Sequence, residues 1–286
     1  IQSDGVHVLF DLTGFTQSSR TACFAWRPAQ VQVSWLGFPG STGLPQMDHL
    51  LLDRYLSPAD PALISETPLV SAGSSVCFGA MAELPITPVL PEMQRGFFTF
   101  GSLNNPYKFT RSTIARWARV LAALPESRFL FVRREFDSFY LRQHLVAEFG
   151  RYGIASGRLA FFNNREIRRH YLDCYNEIDL SLDTFPVTGG TTTIDALWMG
   201  VPVVALEGPN VHQRVCSAIL QHAGHGEWIA RDDDQFQEIA LGLAADRELR
   251  AWLRQNLRAE LRASPLCDTQ RFVADFAAAI NGLRPS

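Results

Sequence analysis

The chain has 286 residues, 47% of them hydrophobic and 11% aromatic, enough to build buried cores for two ordinary domains. Its formal net charge of −3 gives no global pull toward nucleic acid or anionic lipid, and no apolar run reaches the roughly eighteen residues a membrane-spanning helix needs. The opening residues lack the basic and apolar regions of a signal peptide. The five cysteines are widely spaced without a CxxC pair, which argues against a disulfide framework and a zinc site. Buried thiols and a cytoplasmic location are therefore expected.

In chain order, Val6–Phe10 has a strand pattern that ends in Asp11–Gly14, so the chain is expected to begin inside a sheet. Arg20–Trp26 is compatible with a helix that Arg27-Pro28 ends, and Val31–Trp35 alternates as a strand. Leu36–Gly43 follows, with three glycines and a proline. Its backbone can approach a ligand closely, although the same residue types punctuate ordinary strand exits. Met47–Leu52 is a further apolar stretch. Residues 59–92 show little periodicity, which places an interdomain connection near Pro85–Gln94. Asp11 and Asp48 are expected to cap strand ends rather than to act as bases.

Phe97–Gly101 reads as a strand that leads into the polar loop Ser102–Thr110, which carries Lys108. A helix follows with Ile114, Trp117, Ala118, Leu121 and Leu124 on one face, and Phe129–Val132 is the next strand. Tyr140–Phe149 has helical periodicity, Gly157–Phe162 is a strand, and a helix is expected from Arg168 to Tyr175. Asp183–Gly208 then reads as one βαβ unit. In it a Gly189-Gly190 turn and three threonines, Thr191 to Thr193, stand where a helix starts. Such a helix start suits an anion, most simply a phosphate, and a plain packing turn is an equally good reading of the fragment alone. Arg214–His222, Phe236–Ala244, Leu249–Leu261 and Thr269–Leu283 are amphipathic. Strands alternating with helices predict an α/β protein with parallel sheets covered on both faces. None of His7, His49, His144 or His225 has a second ligand at a metal-binding spacing.

Together, WLGFPGSTGLPQMDHLLLDRYLSP (Trp35 to Pro58), SLNNPYKFT (Ser102 to Thr110), DLSLDTFPVTGGTTTIDALWMGVPVV (Asp179 to Val204) and SPLCD (Ser264 to Asp268) resemble the catalytic region of the O-GlcNAc transferase and SPINDLY-like family. The resemblance covers nearly the whole chain. It implies a GT-B architecture of two Rossmann-like lobes with parallel sheets, the first lobe incomplete. Residues 1–92 would be its C-terminal part, 93–262 the nucleotide-sugar-binding lobe, and 263–286 a helix packing back on the first lobe. The missing half-lobe and tetratricopeptide repeats are expected upstream.

The implied activity is transfer of N-acetylglucosamine from UDP-GlcNAc to Ser or Thr hydroxyls of a protein or peptide acceptor. It proceeds with inversion, without a metal, and with no cofactor beyond the donor. By the resemblance, Lys108 contacts the donor diphosphate and Asn105 takes the place of a phosphate-binding glutamine. Thr191 and Thr192 hold the pyrophosphate, Asp195 bonds the ribose, Gly189 keeps the turn open, and Leu36, Gly37 and Pro39 face the sugar and acceptor. Either His170 or Tyr171 matches the family's uracil-stacking histidine, depending on register, and Arg168 is a candidate nucleotide contact. Gly190 stands where animal members have a histidine near the sugar. That keeps open a donor such as GDP-fucose or a UDP-hexose, beside the reading of a binding module without activity.

Overall fold

A computed structural model describes residues 1–79, 82–163 and 170–283. Its contacts divide the chain into two units, Ile1–Ala80 with Gly208–Gly224 and Ala263–Ser286, and Met81–Glu207 with His225–Arg262.

The first unit holds a four-stranded parallel sheet in the order β1-β2-β3-β4, formed by Val8–Asp11, Val31–Ser34, His49–Asp53 and Thr67–Ser71. The apolar run of β3 is buried on both faces, as strands of parallel sheets are. Leu50 and Leu52 pack with Leu56, Val211 and Ala218, the last on the helix Val215–Ala223 (α5). Between them Leu51 packs with Val31 and Val33 on the other face. There Phe10, Trp35 and Phe276 join, the last from the terminal helix Thr269–Asn281 (α8). The two-residue alternation of a strand thus assigns one helix to each face.

Three local expectations are corrected. The helical segment expected over Arg20–Trp26 is present over Thr21–Trp26 with Arg27 as its C-cap, but as a 3-10 helix that buries only Thr21 and Phe24. The stretch without periodicity contains β4, whose Thr67, Pro68 and Val70 are exposed, because it lies at the sheet edge where a proline costs no ladder bond. Of the cysteines, Cys174 and Cys216 are buried, whereas Cys23 lies on the exposed side of the 3-10 helix. No disulfide joins any of the five. Asp11 and Asp48 act as expected of caps: Asp11 accepts from Thr13 N, Gly14 N and the Thr21 hydroxyl at 2.6–3.1 Å, and Asp48 from Gln32 N and Arg27 at 2.8 Å each.

The second unit holds a six-stranded parallel sheet in the order β7-β6-β5-β8-β9-β10. The strands are Thr99–Ser102 (β5), Arg128–Val132 (β6), Leu159–Phe162 (β7), Leu180–Leu182 (β8), Val203–Leu206 (β9) and Ile229–Ala230 (β10). Counted within the unit this is the doubly wound order 3-2-1-4-5-6, with its switch point between β5 and β8. Short helix Pro91–Arg95 (α1) precedes β5. The helix Arg111–Ala123 (α2) starts at Thr110, whose hydroxyl accepts from Thr113 N at 3.2 Å, and buries Ile114, Trp117, Ala118 and Leu121. Trp117 packs on Phe129 and donates to the carbonyl of Asp183 at 3.1 Å, tying α2 to the strand exit that builds the site. Phe139–Gly150 (α3), Thr191–Trp198 (α4), Asp233–Ala245 (α6) and Arg247–Ala263 (α7) complete the layers. Among the described residues no helix is long and apolar enough to cross a membrane.

Candidate functional site

In a doubly wound sheet, ligands bind at the carboxyl ends of the strands beside the switch point. There the second unit has a cavity of about 340 Å³, within the range of small-molecule sites. Leu103 follows β5, Val132 ends β6 with Arg133 and Arg134 just after it, and Thr191, Thr192 and Asp195 belong to the first turns of α4. Tyr171 starts the 3-10 helix Tyr171–Glu177.

The turn from β8 into α4 is built on a buried carboxylate. Asp183 accepts from Gly189 N at 2.9 and 3.0 Å and from Asn104 Nδ2 at 3.0 Å, while Asn104 Oδ1 accepts from the Thr192 hydroxyl at 3.0 Å. A Cβ on Gly189 would lie within 2.7–2.9 Å of Asp183 Oδ1, Thr193 Oγ1 and Thr192 Oγ1, so any side chain there would force these groups to shift. Lys108 Nζ donates to Thr188 O at 2.8 Å, which brings its ammonium to this turn. The N–H groups at the start of α4, its macrodipole and this ammonium together favour an anion.

Asp195 is 2% exposed, and burial raises its pKa to about 6, against the lowering effect of the Tyr171 hydroxyl, which donates to Oδ2 at 3.1 Å. Burial, followed by the Asp195 charge and hydrogen bond, pushes Tyr171 up to about 12, so it remains a proton donor at physiological pH. Tyr175, fully buried, donates to Thr192 O at 2.9 Å and holds the first turn of α4 from below. Arg133 and Arg134 reach Glu135 at 3.2 and 3.6 Å.

Of the residues singled out in the sequence, Tyr171, Thr191, Thr192 and Asp195 line this cavity, and Gly189 and Lys108 join through the turn. Gly190 is the residue before α4, with φ −116° and ψ −91°. The Asn105 side chain accepts from Tyr107 N at 3.1 Å and caps the 3-10 helix Pro106–Lys108. His170 is exposed, accepts from Leu172 N at 3.3 Å, and stacks on the Tyr171 ring with centroids 5.0 Å apart. Arg168 lies outside the described residues. Leu36, Gly37 and Pro39 follow β2 in the first unit. Leu36 has φ 76°, and a Cβ on Gly37 would meet Thr13 O at 2.3 Å, so the backbone there runs tightly against the loop after β1.

Sequence reasoning missed Asn104, Asp183, Tyr175 and the Arg133-Arg134 pair. For Asn104, Asp183 and the arginine pair the one available signal was position, just after a predicted strand or at the foot of the glycine turn; Tyr175, at the end of a predicted helix, had none.

The family model for glycosyl transferase family 41 matches residues 1–67 and 90–276. The chain belongs to this family. A rice (Oryza sativa subsp. japonica) protein named probable UDP-N-acetylglucosamine–peptide N-acetylglucosaminyltransferase SPINDLY is 33% identical over 285 residues, spanning 99% of this family 41 chain and 31% of the rice protein. Its counterpart in Petunia hybrida is 35% identical over 274 residues, 95% of this chain and 29% of the relative. A point mutant of the Thermobaculum terrenum O-GlcNAc transferase superposes with a TM-score of 0.88 at 32% identity, covering 98% of this chain and 53% of that one. Anabaena HepE, solved with UDP and glucose, shares the fold alone, at 14% identity and a TM-score of 0.56, over 96% of this chain and 71% of that one. The family 41 chain therefore has the GT-B type of α/β fold with parallel sheets, and it spans under a third of the length of these plant relatives.

Proposed function

We propose that this family 41 chain is the donor-binding and catalytic part of a transferase that moves N-acetylglucosamine from UDP-GlcNAc to Ser or Thr hydroxyls of a protein acceptor, with inversion and without a metal ion. One observation carries the reading: the start of α4, Asp195 and Tyr171 share one cavity at the switch point, and Lys108 is held on the same turn. A diphosphate fits Thr191, Thr192 and the N–H groups beside them, and Asp195 accepts from the ribose. Tyr171 supplies the ring for the base, since it is the one of the two adjacent rings that lines the cavity. When the acceptor oxygen attacks the anomeric carbon, the bond to the diphosphate breaks and UDP leaves with its electron pair. Lys108 and the helix start then stabilise the charge that grows on the β-phosphate. Leu36, Gly37 and Pro39 are assigned to the sugar and acceptor side, with Asn105, Arg168, Gly189 and Gly190 at the donor.

The full protein is proposed to carry tetratricopeptide repeats upstream, for which the relatives' greater length leaves room. A cytoplasmic location is proposed with it, supported by five cysteines outside any disulfide.

In the full-length protein, Lys108→Ala is expected to lower kcat by at least about a hundredfold, the cost of removing one charge-stabilising donor, while chelators leave transfer unchanged. Undiminished transfer by the variant would remove Lys108 from the mechanism. Gly190, which puts no side chain at the start of α4, supports a second reading with a different donor. Calorimetry with UDP, GDP and their sugars separates the two, because tight GDP binding with no UDP binding, or tighter binding of a UDP-hexose than of UDP-GlcNAc, would replace UDP-GlcNAc as donor.

A further inference from the structure

We propose that Tyr171 is a positioning residue for the ligand: its hydroxyl fixes one oxygen of the Asp195 carboxylate and so presents the other to a hydroxyl donor, the ribose of a nucleoside diphosphate. The inference rests on the nucleotide-sugar reading above and assigns Tyr171 a task beyond that of a ring for the base. Asp195 Oδ2 accepts from Tyr171 at 3.1 Å, whereas Oδ1, buried beside the cavity, has no hydrogen-bond partner among the described residues. A buried carboxylate oxygen without a donor is costly, and a hydroxyl-bearing ligand in the cavity removes that cost.

Among the described residues, the neighbouring groups leave this task to Tyr171. Tyr175 is committed to the Thr192 carbonyl, and Asp183 to Gly189 N and Asn104. Arg133 and Arg134, the nearby cations of the cavity wall, reach Glu135. His170 meets the Tyr171 ring face and caps Leu172 N. Among the described residues, the hydroxyl of Tyr171 is thus the side-chain hydrogen bond that favours the ionised form of Asp195, whose pKa burial raises to about 6. Its removal takes that support away and moves the ionisation of Asp195 to higher pH.

Tyr171→Phe keeps the ring and removes only the hydroxyl. In the full-length protein, calorimetry between pH 5 and 8 is expected to show about tenfold weaker UDP binding at pH 7, the loss typical of a hydrogen bond to a charged group. The pH midpoint of binding should rise, and the affinity for 2′,3′-dideoxy-UDP, which lacks the ribose donors, should stay nearly unchanged. Equal losses for both nucleotides with an unmoved midpoint would reduce Tyr171 to a stacking surface and overturn the proposal. A second measurement needs no nucleotide: the carboxyl infrared band that Asp195→Asn abolishes should titrate at higher pH in Tyr171→Phe. An unmoved band also overturns the proposal. A moved band in a wild-type protein that binds neither UDP nor GDP keeps the Tyr171–Asp195 coupling and rejects the nucleotide reading instead.

Discussion

Gly189 shows how much of the site depends on a missing side chain. Its amide donates to Asp183, and any Cβ would lie 2.7–2.9 Å from three oxygens that shape the turn. Gly189→Ala is expected to cost about 1–3 kcal/mol, the range for overpacking a filled interior, and to weaken UDP binding together with stability. Urea unfolding and calorimetry on the same variant check both. The sequence made Gly189, Thr191, Thr192 and Asp195 legible, because a glycine turn before a helix has a known use. Asn104 was not legible. Its neighbour Asn105 is chemically identical and one position away, and only the packing shows that Asn104 bridges Asp183 and Thr192 while Asn105 caps the next turn.

At the scale of elements, the C-terminal end of β3 meets helix α5 through Asp53. This carboxylate accepts from Tyr55 N and Leu56 N at 2.9 Å and from Ser75 N and the Ser75 hydroxyl at 2.8 Å, and His222 Nε2 of α5 lies 3.3 Å away. Burial alone would raise its pKa, but His222 and Ser75 outweigh that and bring it to about 2. A lowered carboxylate pKa contributes stability above the unfolded value near 4, and this is lost as the pH falls through 2. At about 1.4 kcal/mol per unit the contribution is about 2 kcal/mol. Asp53→Asn should therefore lose about that much at pH 7 and flatten the acid limb, read by denaturant titration across pH. The amphipathic stripe of α7, with Leu253, Leu257 and Leu261 buried, was legible in the sequence. The fate of its arginines was not: Arg254, 1% exposed, donates to the carbonyls of Tyr175 and Ile178 at 3.2 Å, partners that exist only once the chain has folded.

For the whole molecule, the cavity lies within the second unit, so donor binding should register there first. UDP at about one hundred times its dissociation constant stabilises a native state by about 2.7 kcal/mol. Hydrogen exchange is expected to show that protection concentrated between Thr99 and Leu206, above all in the turn at Gly189 and the first turn of α4. Protection confined to the sheet of β1–β4 would contradict the assignment of the site.

The sequence by itself determined the α/β class, the parallel alternation and the family, because a two-residue period, a helical period and glycine turns are local properties that a chain displays before it folds. The contacts of the folded chain decided which side chains converge. Gly208–Gly224 lies between β9 and β10 in the chain yet clusters with the first unit, and β4 exists because an edge position tolerates Pro68. Of the adjacent rings His170 and Tyr171, the second reaches Asp195 and the cavity. Each is a matter of which surfaces meet, and burial and hydrogen-bond geometry between residues far apart in the chain have no local signature.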